Sequence, residues 1–192
     1  MKTQISKMFA IATLPFVFAA CSPKPVSPQD EFWDGLQNLC GKSFAGKLVS
    51  LDETDAALRD RKMVMHVTSC SDTEIRIPFH IGDNHSRTWV LSRTDTGLRL
   101  KHQHNHEDGH EDKVSQYGGD TSGPGTTNRQ EFPVDTFSKE MFVREGLDVS
   151  VTNVWAVEVS QERYAYELRR ENRHFRVEFD LNHAVNSPPD AW

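Results

Sequence analysis

The sequence predicts a mainly β fold: a single antiparallel up-and-down β-barrel with an N-terminal helix and one short further helix. Apolar residues alternate with polar or charged ones along several segments, which is typical of strands buried on one face only. Short polar connections separate these segments and indicate hairpin turns. A meander of eight or nine such strands favours closure into a barrel, because closure removes unpaired edges. A β-sandwich is the alternative.

The first 21 residues have the order of an export signal. Lys2 and Lys7 give a basic start, and residues 8–20 are uncharged and mostly apolar. This stretch is too short to span a bilayer as a helix, so it reads as a secretory signal. The segment Phe18-Ala19-Ala20-Cys21 resembles the lipobox of bacterial lipoproteins, although that family usually has Leu where Phe18 stands. The alternative is an ordinary signal peptide that ends by chance at a cysteine.

The lipobox resemblance implies a destination and a division of the chain. Residues 1–20 are the expected signal peptide, and Cys21 is the expected site of lipidation, which anchors the protein to a membrane. Ser22 stands where an Asp would usually retain a lipoprotein in the inner membrane, so the resemblance implies the outer membrane, facing the periplasm. Residues 21–29 contain three prolines and predict a lipidated tether, and residues 30–192 predict the barrel domain.

The charge of the mature chain argues against nucleic-acid binding. The chain has 22 Lys and Arg and 28 Asp and Glu, and the signal peptide holds two of the basic residues and none of the acidic ones. The mature formal charge is therefore −8. An acidic protein is a poor electrostatic partner for nucleic acid or anionic head groups.

Two cysteines remain after lipidation, Cys40 and Cys70. Exported proteins meet an oxidising compartment, which predicts a disulfide between them. The alternative is a pair of buried free thiols.

Two helices are expected beside the strands. From Asp30 to Cys40, apolar residues recur at helical spacing, with Asp30 as a possible cap and Gly41 as a stop. A second short helix is expected over residues 135–143, where it would plug or cover the barrel. Between the strands, residues 113–130 predict a long loop that could gate one mouth of the barrel.

The order of elements also resembles a known arrangement. A leading helix, a glycine-containing first strand over residues 41–47 and a meander resemble the lipocalin or calycin arrangement. The Gly-x-Trp triplet that is usual in the first lipocalin strand is absent. The pattern is similar, too, to a family of proteobacterial lipoproteins whose activity is not established, so this resemblance implies a fold and no function.

One stretch is rich in possible metal ligands. His102, His104 and His106 are spaced by two and share the parity of the apolar Leu98 and Leu100. On a continuing strand, all three imidazoles would project from one face and could chelate Zn²⁺ or Cu²⁺. His110 is a further candidate ligand nearby. The alternative is a strand that ends near His102 and a solvated loop after it.

The other histidines are isolated and predict surface or satisfied core positions. His80 and His174 fall on the outer, charged parity of their strands.

Three function classes follow. The sequence contains no nucleophile elbow, phosphate-binding loop or His-Glu-x-x-His motif, so no catalytic residue is predicted and an enzyme is the less favoured class. The favoured function is a non-enzymatic envelope lipoprotein that binds a small ligand or acts as an accessory module for an envelope protein. The alternative is a zinc- or copper-binding protein or metal-dependent enzyme. An open apolar cavity would favour ligand binding, and a filled barrel would favour the accessory role.

Overall fold

A computed structural model describes residues 25–192. The predicted signal peptide, the lipidated Cys21 and residues 21–24 of the predicted tether lie outside the described residues. The α-helices are α1 (Pro28–Gln37) and α2 (Thr136–Arg144), and short 3-10 helices cover Glu53–Leu58 and Asp148–Thr152. The strands are β1 (Ser43–Leu48), β2 (Met63–His66), β3 (Ser69–Cys70), β4 (Glu74–Ile81), β5 (Asn84–Thr94), β6 (Gly97–His104), β7 (Tyr117–Asp120), β8 (Arg129–Pro133), β9 (Val154–Val159), β10 (Arg163–Arg170) and β11 (Arg173–Val185).

The strands form one antiparallel sheet in the order β7-β6-β5-β4-β2-β1-β11-β10-β9-β8, with β3 paired to β4. Neighbours in the chain are mostly neighbours in the sheet, and β1 pairs with β11 to bring the two halves together. The predicted fold class is therefore confirmed. Two strands beyond the predicted ones are β3, which has only two residues, and β7, which lies in the stretch predicted as a loop.

The barrel is nearly closed by contacts between the edges of β7 and β8. The backbone N–H of Asp135, just after β8, donates to the carbonyl of Gly118 at 2.9 Å. The Oγ of Ser138 accepts from the N–H of Gly118 at 2.8 Å and donates to its carbonyl at 3.2 Å. Helix α2 follows β8 directly and packs on β7, which confirms the short helix predicted over residues 135–143.

Helix α1 begins two residues earlier than predicted. Ser27 is its cap: the Ser27 hydroxyl accepts from the N–H of Asp30 at 3.1 Å, and the Asp30 carboxylate accepts from the backbone N–H of Ser27 at 3.3 Å. Asp30 is thus the third helical residue of a capping box, which corrects its predicted role as the cap. Trp33 is buried beneath the Arg93 guanidinium, which lies 5.0 Å from the ring centre.

Aromatic side chains fill the barrel interior. Trp89 stacks on Phe79 with ring centres 4.6 Å apart and on Tyr166 with ring centres 4.4 Å apart. Phe179 packs edge-on against both Phe79 and Trp89. Such stacked and edge-on pairs add to the free energy gained by burying their area.

The predicted disulfide is confirmed. Cys40 and Cys70 are bonded, with Cα atoms 6.2 Å apart and a sequence separation of 30. The bond ties the segment just after α1 to β3, at the edge of the main path of the sheet.

The outer face of β8 to β11 carries a network of ion pairs between arginine and glutamate side chains. Arg176 contacts Glu158 at 2.7 Å and Glu167 at 2.9 Å, and Arg129 contacts Glu167 at 2.9 Å. Burial by itself would raise the pKa of Glu167, but the hydrogen bonds and charges of Arg129 and Arg176 outweigh burial and lower that pKa to about 2. Glu167 therefore stays ionised far into the acid range.

Candidate functional site

The end of the barrel opposite α1 opens into a cavity of about 360 Å³. Helix α1 covers the other end, where Gln29 donates to the Thr121 hydroxyl at 3.1 Å just beyond β7. The cavity, hereafter the mouth, takes its floor from aromatic residues on β6, β7, β9 and β10 and its rim from polar residues on the connections. Its lining includes His104, Asp112, Tyr117, Phe142, Asn153, Trp155, Tyr166, Leu168, Arg170 and Arg173.

A buried histidine–tyrosine pair supports the floor of the mouth. His102 is 2% exposed, with Nδ1 lying 3.0 Å from the carbonyl oxygen of Tyr117 and Nε2 lying 2.7 Å from the hydroxyl of Tyr166. A carbonyl only accepts, so Nδ1 carries the hydrogen and Nε2 accepts from the Tyr166 hydroxyl. Burial lowers the pKa of His102 to about 3, so the ring is neutral. Both nitrogens are thus occupied by protein partners.

His104 lines the mouth itself. Its Nε2 lies 3.1 Å from the hydroxyl of Tyr117, and its backbone N–H donates to the Ser115 hydroxyl at 2.9 Å. Burial, followed by the positive charge of Arg87, lowers the pKa of His104 to about 4. The imidazole is therefore a neutral hydrogen-bonding group at the edge of an aromatic surface.

The four histidines predicted as metal ligands are not brought together. Strand β6 ends at His104, and the chain then turns, with the N–H of His106 donating to the carbonyl of His110 at 2.8 Å. His106 and His110 are exposed, and each pairs with a nearby carboxylate, Asp112 and Asp108 respectively. Within residues 25–192, no group of three or more His, Cys, Asp or Glu side chains is arranged to hold a metal ion. The shared parity is lost because the strand stops before His106.

One cation at the rim is free to receive an anion. Arg173 is held by two carboxylates, Asp55 at 2.6 Å and Asp52 at 3.1 Å. Arg170 donates to the side-chain oxygen of Asn153 at 3.1 Å, and no carboxylate among residues 25–192 forms an ion pair with it. The mouth therefore combines an aromatic floor with one guanidinium that has no carboxylate partner in the described part of the chain.

Comparisons with known proteins give one structural likeness and no relative by sequence. No protein-family model matches the chain, and no curated protein matches it. A solved structure described as "REP1-NXSQ fatty acid transporter" is similar, with a TM-score of 0.42 and 11% sequence identity over 79% of this chain and 99% of that one. In the part of the chain that the structure describes, no helix is long and apolar enough to cross a membrane.

Sequence reasoning anticipated part of the mouth. The alternation along β9 and β10 predicted that Trp155 and Tyr166 face inward, but it could not separate the mouth from the core. Tyr117 was missed because its strand reads as part of a loop, and Arg170 was missed because it reads as part of a hairpin turn.

Proposed function

We propose that the protein is an envelope lipoprotein whose barrel mouth binds a small amphipathic acid without converting it chemically. The observation that carries this proposal is an aromatic floor of Tyr117, Trp155 and Tyr166 next to Arg170, which has no carboxylate partner among residues 25–192. A volume of about 360 Å³ lies within the range of small-molecule sites. The filled interior makes the site shallow, so the ligand is small.

The proposed location rests on different features. The lipobox resemblance at Cys21 supports a lipid anchor, and the Cys40–Cys70 disulfide is of the kind formed in oxidising compartments. We propose the outer membrane, with the barrel facing the periplasm and the lipid as its membrane contact. An envelope protein that exchanges ligand at the mouth is the proposed macromolecular partner.

Loss of the lipid anchor is the first expected result. Cys21→Ser removes the thiol that accepts lipid, so the protein should move from the membrane fraction to the soluble periplasmic fraction while its barrel stays folded. The measurement is fractionation of cells after a high-salt wash, with circular dichroism on the soluble form. Cys21→Ser protein that remains with the membranes would contradict the lipoprotein proposal.

Binding at the mouth is tested with phenylbutyrate and the matched alcohol phenylbutanol, which lacks the charge. Arg170 should make the acid bind about tenfold more tightly than the alcohol, because a charge-assisted hydrogen bond contributes on the order of 1.5 kcal/mol. Arg170→Gln should abolish that preference. The measurement is isothermal titration calorimetry of each protein with each of the two ligands.

Arg163→Gln is the control for this titration, since Arg163 lies on the same strand as Arg170 but at the opposite end. It should leave the preference for the acid unchanged. Equal preference in the native and Arg170→Gln proteins would exclude the mouth as the acid site.

A further inference from the structure

A second and larger cavity lies on the outside of the barrel. It is a groove of about 730 Å³ between the outer face of β1, β2 and β4 and the segment 186–192, hereafter the strap. Its lining includes Ala45, Lys62, Val64, His80, Pro188 and Pro189. The groove lies on the sheet face opposite the core, so it is separate from the mouth.

Contacts of Trp192 hold the strap over the sheet. The backbone N–H of Trp192 donates to the carbonyl of His85 at 3.2 Å, and its own carbonyl accepts from the side chain of Asn105 at 3.0 Å. The Trp192 ring also stacks on the His85 ring with centres 5.9 Å apart. At its other end the strap continues from β11, so it is fixed on both sides of the groove.

His80 faces this groove with two unused hydrogen-bonding atoms. The residue is 3% exposed, and neither ring nitrogen has a hydrogen-bond partner among the described residues. Its place on the outer parity was predicted. The prediction of a surface or a satisfied core position is corrected, because His80 is buried and its ring nitrogens have no hydrogen-bond partner among the described residues. A buried polar group without a hydrogen-bond partner lowers the stability of the folded protein. Such groups are therefore uncommon unless a bound water, ion or ligand supplies the missing hydrogen bond. A neutral imidazole offers one donor and one acceptor.

Positive charge lies beside His80 on the same face of the sheet. Val64 is directly opposite His80 in the β2–β4 register, and the carbonyl of Lys62 accepts from the N–H of Gly82 at 2.8 Å. Lys62 and His80 are therefore diagonal neighbours on adjacent strands, within reach of a common small ligand. Lys62 has no carboxylate partner within residues 25–192.

We propose that the groove is a binding site for a small carboxylic acid. The carboxylate accepts hydrogen bonds from the Lys62 ammonium and from a ring N–H of His80. The apolar body of the acid lies against Val64, Ala45 and the two strap prolines. This site is independent of the one proposed at the mouth, because it shares no lining residue with it.

The surroundings of His80 give this site a pH dependence. The titratable groups around it are His66, His85, Lys62, Asp83 and Asp190, the last of which acts through its charge on His66. Burial, then the charges of His85 and His66, lowers the pKa of His80 to about 4, so the free protein holds a neutral ring. A bound carboxylate favours the protonated ring and raises that pKa, so binding takes up protons. The acid should therefore bind more tightly as the pH falls.

The experiment is a calorimetric titration of the full chain with benzoate, benzyl alcohol and inorganic phosphate at pH 7.5 and pH 5.5. Arg170→Gln protein is titrated in parallel, which removes the charge at the mouth. We expect benzoate to bind more tightly than either comparison ligand and about threefold more tightly at the lower pH. The shift of the His80 ring signals in NMR spectra identifies the site.

Three variants separate the alternatives. His80→Gln should keep benzoate binding but lose its pH dependence. Lys62→Met should weaken the affinity for benzoate at least about tenfold. Lys139→Met, on α2, should leave both the affinity and its pH dependence unchanged. Unaltered His80 signals, phosphate binding as tight as benzoate, or a pH dependence that survives His80→Gln would each overturn the proposal. His80→Leu supplies a folding control, since it should raise the melting temperature while abolishing benzoate binding.

Discussion

Gly119→Ala is expected to open the barrel along the β7–β8 edge and to lower the free energy of unfolding by about 3 kcal/mol or more. A Cβ atom at this position would lie 1.8 Å from the carbonyl oxygen of Pro133 and 2.8 Å from its carbonyl carbon. Both are backbone atoms, so no rotation of a side chain relieves the clash. The two edges must move apart, and the hydrogen bond between Asp135 and Gly118 is lost with them.

Gly123→Ala is the matched control for this expectation. Gly123 lies four residues further along, in the connection that follows β7, and a Cβ there would have no atom of residues 25–192 within 4 Å. Urea unfolding of the two variants, followed by circular dichroism, compares them directly. If Gly119→Ala is as stable as Gly123→Ala, the two edges do not meet as closely as the structure places them. Because Tyr117 belongs to the same strand, Gly119→Ala should also weaken ligand binding at the mouth.

Two adjacent glycines, Gly118 and Gly119, explain why β7 was missing from the sequence prediction. Alternation can be read only where side chains show which face is buried, and Gly118 and Gly119 carry none. Their local pattern is that of a turn. Yet the absence of a side chain is what lets backbone from β6 and β8 approach β7 from either side. Strands with a strong alternation, such as β4 and β11, were predicted correctly.

The histidine-rich stretch shows that alternation along a strand predicts which face a side chain lies on, but not which residues it contacts. Spacing by two correctly placed His102 on the inner face of β6, but it said nothing of what that face would meet there. The partners of the ring, Tyr117 and Tyr166, come from strands 15 and 64 residues away in sequence. His80 shows the reverse case, because its outward parity is right but the residue is buried, with the His85 ring centre 4.7 Å from its own.

Removal of the Cys40–Cys70 disulfide is expected to cost about 3–4 kcal/mol of unfolding free energy, because the bond closes a loop with a sequence separation of 30. The bond restricts the unfolded chain, and in the folded state it holds the end of α1 against β3. Strand β3 has only two residues and, within residues 25–192, pairs with β4. The segment after α1 is otherwise held there by hydrogen bonds from Gln37 to the carbonyl of Ser71 and from Gly41 to the carbonyl of Val67.

The double variant Cys40→Ser with Cys70→Ser should therefore unfold at clearly lower urea concentration than the oxidised protein, with α1 fraying first. Native protein treated with dithiothreitol should match the double variant, and dithiothreitol should leave the double variant itself unchanged. Hydrogen exchange at the amides of Phe32 and Leu36, which are buried on α1, reports the fraying. A loss of less than about 1 kcal/mol would mean that packing of α1 alone holds this corner and that the crosslink is not needed for stability.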